Sequence, residues 1–121
     1  MLKVDKKIIL SFISLFILVG CTSDSEEELY SNCETDNMSF QIHISPYLEN
    51  NCISCHNQNL SSGGIDYSRF AGIKSGVDDG SLLGSIKHET EYEAMPPNES
   101  KTDDCKINQI EAWINQGAIN N

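Results

Sequence analysis

Cys52-Ile53-Ser54-Cys55-His56 is the stretch that decides what kind of domain this chain forms. Two thiols three positions apart, followed at once by an imidazole, have the spacing of covalent c-type heme attachment. Each thiol adds across one vinyl group to form a thioether, and the next residue, the histidine, lies beneath the iron as proximal ligand. Two other chemistries use a Cys-x-x-Cys pair. A thioredoxin-like redox pair belongs at a strand-to-helix turn in a βαβ context. Here the upstream stretch Ile42-His43-Ile44-Ser45-Pro46-Tyr47-Leu48 is short and broken by Pro46. A structural zinc site wants a second Cys/His pair at close spacing, whereas Cys33 and Cys105 stand alone on either side. The spacing therefore points to heme c, one per chain.

An iron held by one imidazole has a sixth position to fill, and the candidates are Met95, His88, His43 and Met38. Met95 is favoured because it precedes Pro96-Pro97, and a residue before proline is pushed into extended geometry. Its thioether is thus presented from a stiff loop, 39 residues after His56. Glu91, Glu93, Asn98 and Glu99 around it make a flexible core filler a poorer reading of the same residue. His88, in Lys87-His88-Glu89, is the rival, read more simply as a surface histidine meeting a helix dipole. His43 and Met38 precede the heme motif and are expected to pack or face solvent.

Around these residues the pattern is helical. A first helix is predicted to begin between Gln41 and Ser45, with Ser45-Pro46 as cap and first position, and to run into the heme motif. Ser61-Ser62-Gly63-Gly64 reads as a turn that lets backbone approach the heme edge. Asp66 is a candidate cap for a short helix holding Phe70 and Ile73 and ending near Gly76, and Ser81 for another holding Leu82, Leu83 and Ile86. The clearest helix is the last. Thr102 is its expected N-cap, Asp103 and Asp104 suit the dipole, and Ile107, Ile110 and Ile114 recur at helical spacing with Trp113 flanking them. Gly117 stops the run. The expected fold class is all-α.

The N-terminus reads as a targeting segment. Lys3, Lys6 and Lys7 precede an apolar run from Ile8 to Val19, about the length of a signal h-region and short for a bilayer span. Leu18-Val19-Gly20-Cys21 resembles a bacterial lipobox, which makes 1–20 a lipoprotein signal peptide and Cys21 the lipidated residue; an ordinary secretory signal with a chance cysteine is the alternative. Multiple acyl chains there give membrane anchoring that one chain does not. Residues 21–32 include Ser23-Asp24-Ser25-Glu26-Glu27-Glu28 and read as a solvated acidic tether, leaving 33–121 as the domain. The expected location is the bacterial cell envelope, on the periplasmic side or the outer surface.

Charge and cysteine count narrow the setting. Beyond residue 20 the chain carries five basic and 17 acidic residues, a formal net charge of −12. That surface repels nucleic acid and suits a partner with a basic patch, though plain solubility explains it too. Of five cysteines, Cys21 is assigned to lipid and Cys52 with Cys55 to heme. Cys33 and Cys105 remain, and in an exported chain a leftover pair reads as a disulfide, with two free buried thiols as the alternative.

With the heme motif, Met95-Pro96-Pro97 and the last helix assembled, the chain resembles a single-domain class I cytochrome c. More narrowly, it is similar to a group from Planctomycetes- and Bacteroidetes-type bacteria with a Gly-Gly stretch, Ser-Leu-Leu, Met-Pro, and Trp-Ile before Gly-Ala. Here these are Gly63-Gly64-Ile65-Asp66, Ser81-Leu82-Leu83, Met95-Pro96 and Trp113-Ile114-Asn115-Gln116-Gly117-Ala118. The resemblance spans about residues 33 to 118, and Cys33 and Cys105 are additions to the general pattern. It implies a small class I cytochrome c fold, with helices packed around one covalently attached heme. It makes Cys52 and Cys55 the attachment points and His56 and Met95 the axial ligands. The implied function is electron transfer with redox partner proteins, not enzymatic catalysis. The alternatives are a ligand-binding or sensory heme module, with Met95 off the iron, and a heme peroxidase with an open iron face near His88 or Glu89.

Overall fold

The structure is a computed structural model that describes residues 33–121. The segments expected to be signal peptide (1–20) and tether (to residue 32), and the expected lipidation site Cys21, lie outside the described residues. The described residues are all-helical, with four α-helices and no strand.

The chain becomes helical at Phe40, five residues ahead of the expected Ser45 cap. A wide π-turn, Phe40–Ile44, leads straight into α1, Ser45–Asn51. The cap is Ser39, whose side-chain oxygen accepts from the Ile42 N–H, while the Ser45 hydroxyl donates to Glu49 instead. Proline accounts for the wide turn. Pro46 has no N–H and its ring crowds the carbonyl four residues back. The Ser45 N–H reaches back five residues to the Phe40 carbonyl, and this widening carries the helix past Pro46 unbroken. Asn121 meets the exposed N–H groups of the opening turn. Its side-chain oxygen accepts from Phe40 N–H at 2.8 Å and its backbone carbonyl from Gln41 N–H at 3.0 Å.

A 3-10 turn, Ser62–Gly64, follows the Cys52–His56 stretch. α2 runs from Phe70 to Asp78 and α3 from Ser81 to Lys87. Neither uses its expected cap. Asp66 closes an Asx-type turn on Ser68, with its Oδ1 accepting from the Ser68 N–H at 2.9 Å, so α2 starts later, after an extended Arg69. α2 also continues past Gly76 to Asp78. Ser81 is the first helical residue of α3, and its N–H is taken by the Asp79 carboxylate at 2.9 Å. α4, Asp104–Asn115, is capped by Asp103, which accepts from the Lys106 N–H. Thr102, the expected cap, is buried instead, its hydroxyl 2.6 Å from the Tyr47 hydroxyl. α4 closes on Gly117 (φ 103), with Gly117 N–H bonded to the Ile114 carbonyl and Ala118 N–H to the Trp113 carbonyl.

Trp113 sits at the centre of the core and is fully buried, with its indole N–H donating to the Ile119 carbonyl at 2.9 Å. Phe40 stacks beside it at 5.5 Å between ring centroids and meets Phe70 edge-on at 4.9 Å. The first helical segment, α2 and α4 thus share one aromatic cluster. Ile107 and Ile110 complete the buried face of α4, and Ile114 is only half-buried, so the tryptophan is central to that face and does not merely flank it. The sulfurs of Cys33 and Cys105 lie 2.10 Å apart, at disulfide distance, with Cα atoms 5.6 Å apart. This joins the start of the described chain to the first turn of α4.

Candidate cofactor site

The end of α1 builds the site. Cys52 follows the helix as its C-cap, its N–H bonded to the Leu48 carbonyl at 2.9 Å. Two tight turns follow, in which the Cys52 carbonyl accepts from Cys55 N–H at 3.1 Å and from His56 N–H at 2.9 Å. The motif is therefore wound into a compact knot. Asn57 ties the next loop, donating to the Ile53 carbonyl and accepting from the N–H groups of Asn59 and Leu60. Ser62 N–H then returns to the Cys55 carbonyl, and Tyr67 N–H to the His56 carbonyl at 2.8 Å.

That return path orients the His56 imidazole. His56 is only 7% exposed, and its Nδ1 lies 3.0 Å from the Ser62 carbonyl oxygen. A carbonyl only accepts, so Nδ1 carries the proton and the lone pair is left on Nε2, the arrangement found when a histidine ligates a metal. The Tyr67 ring packs beside it at 5.5 Å, and burial pushes the Tyr67 hydroxyl above its ordinary pKa. Cys52 and Cys55 are free thiols, half-buried and exposed respectively. Desolvation pushes the Cys52 thiol up to about 11. A dithiol redox catalyst needs its attacking thiol shifted the other way.

A cavity of about 740 Å³ opens beside the motif, within the range of small-molecule and cofactor sites. Cys52, Cys55 and His56 line it, together with Ser62, Gly63 and Ile65 from the loop and Leu82 and Ile86 from α3. Met95, Pro96 and Pro97 line the same cavity, with the exposed carboxylates Glu91, Glu93 and Glu99 at its edge. Two thiols, one imidazole nitrogen and one thioether sulfur at a single cavity form a donor set that fits a covalently attached heme. Among the described residues no three His, Cys, Asp or Glu side chains cluster as a metal-ion site.

The other ligand candidates fall elsewhere. His43 Nδ1 accepts from the Ser39 N–H at 2.9 Å, and Met38 is buried in the core. His88 does not line the cavity, and its ring is not simply at the surface: Nε2 lies 3.1 Å from the Met95 carbonyl oxygen. Sequence reasoning missed that contact, and it missed the tyrosines. Tyr47, Tyr67 and Tyr92 all line the cavity. The ring of Tyr92 lies across α3 at Gly80 and Gly84, and a β-carbon placed on Gly84 would stand 2.1 Å from it. Gly84 inside so short a helix, with Gly80 just before it as the cap, was the available signal, since a residue without a side chain leaves room for a ring against the helix.

No family model, curated protein or solved structure matches this chain.

Proposed function

We propose that this chain is a one-electron carrier of the class I cytochrome c type, anchored at the cell envelope through Cys21. The observation that carries the reading is the convergence of Cys52, Cys55, His56 and Met95 on one cavity, with His56 Nδ1 already committed to a backbone carbonyl. When bound, the heme supplies an iron that cycles between ferrous and ferric states by one electron.

The chain's own residues do the rest. Cys52 and Cys55 would hold the group by thioethers, each thiol adding across one vinyl group, so that it is retained through turnover. His56 would offer Nε2, its ring held in place by the bond from Nδ1 to the Ser62 carbonyl. Met95, which lines the same cavity, would hold the iron through its thioether sulfur, a ligand that raises the reduction potential. Ile65, Leu82 and Ile86 keep the cavity wall apolar and limit water. Glu91, Glu93 and Glu99 place negative charge beside the opening, which steers a partner with a basic docking patch and makes its association rate fall with salt.

The test is direct. Protein produced with a c-type maturation system should retain heme through acid-acetone denaturation, with the chain mass raised by one heme. Heme lost to the solvent, with an unmodified chain mass, overturns the proposal. A reduced protein that binds carbon monoxide readily would hand the assignment to a ligand-binding or sensory module.

A further inference from the structure

His88 closes α3 in the left-handed region, at φ 57 and ψ 40. Glycine takes that conformation most readily, and among other residues asparagine, aspartate and histidine are the ones found there most often. Its ring gives a reason for the choice. Nε2 lies 3.1 Å from the Met95 carbonyl oxygen, which only accepts, so the ring N–H donates. The other side of the same residue is held as well, with the Met95 N–H donating to the Ser85 carbonyl at 3.0 Å. Both backbone groups of Met95 are thus fastened to the last turn of α3 and its cap. Pro96 and Pro97 follow, and neither has an N–H to offer. The two bonds to Met95 are therefore the backbone hold on this loop until Glu99 N–H reaches back, at 3.4 Å, to Pro96.

Resting on the electron-carrier reading above, we infer that His88 is a positioning residue for the sixth ligand. Its ring N–H holds the Met95 carbonyl, and so sets how seldom the thioether leaves the iron. It does not line the cavity. Without the ring bond the loop keeps only the Ser85 anchor, and the state with methionine displaced becomes more populated. A competing ligand then binds more tightly in proportion to that population.

The experiment uses ferric holoprotein and imidazole as the competing ligand, followed by loss of the weak long-wavelength absorption band of thioether-bound iron. His88→Gly removes the ring while suiting the left-handed backbone, so the helix end is kept. His88→Gln restores an N–H donor at similar reach. Imidazole should bind His88→Gly about two- to tenfold more tightly than wild type, the span expected for one lost hydrogen bond. The band should persist without imidazole, and His88→Gln should fall within about twofold of wild type. Equal affinity in wild type and His88→Gly overturns the inference. So does a rise shared equally by His88→Gln, or one that tracks a fall in melting temperature, because either makes the role merely structural. A Met95→Ala variant that keeps the band would instead overturn the ligand assignment on which the inference rests.

Discussion

Replacing Gly84 by alanine tests whether Tyr92 is packed across α3 as described. Glycine inside a helix ordinarily loses to alanine by about 1 kcal/mol, so an unpacked Gly84 would make the variant more stable. The structure sets the opposite sign. An added β-carbon would lie 2.1 Å from Tyr92 Cδ2 and 2.4 Å from Cε2, against about 3.5–4 Å for ordinary carbon contact. The ring must move by more than an ångström, and it lines the cavity three residues before Met95. Overpacking of this kind costs about 1–3 kcal/mol. Set against the helix gain, the net loss is about 1 kcal/mol, a fall in melting temperature of about 4–8 °C for a domain of this size. Denaturant and thermal unfolding, monitored by circular dichroism, measure it. Gly84→Ala in a Tyr92→Leu background removes the clash and should recover most of the loss. A single variant more stable than wild type would refute the packing.

Met95→Ala should abolish the methionine band, lower the reduction potential and admit carbon monoxide to the ferrous protein; a silent variant would send the assignment to another residue. Replacing Cys33 and Cys105 together by serine frees a 72-residue separation and should cost about 4 kcal/mol in the chain-entropy model, read from denaturant unfolding, with no change in the visible spectrum. Asp79 tests the start of α3. The Ser81 hydroxyl and backbone N–H hold its carboxyl below its ordinary pKa. A depressed folded value means that its stabilising contribution is complete above the unfolded value of about 3.9 and lost as pH falls through the folded one. Wild type should therefore exceed Asp79→Ala in stability at neutral pH and converge with it in acid; a gap unchanged down to pH 2 would discard the interaction.

Local structure that depends on neighbours in the chain was the legible part. Cys52 to His56 span only a few residues, and the turns between them require no distant partner. The α4 pattern from Ile107 to Gly117 was readable for the same reason: helical period and a glycine stop are local properties. Caps were only half legible. Ser39 and Ser45, or Thr102 and Asp103, are both good cap residues, and the choice between them was made elsewhere. Asn121 meets the N–H groups of the opening turn, and Tyr47 takes the Thr102 hydroxyl. That Cys33 and Cys105 are the unassigned pair can be counted; that their sulfurs lie within bonding distance is decided by how α4 packs. Tertiary structure alone laid Tyr92 across Gly84 and brought the His88 ring to the Met95 carbonyl. Such contacts depend on how loops of many residues close, and loop closure is set by the packing of the whole core, which no short window of sequence contains.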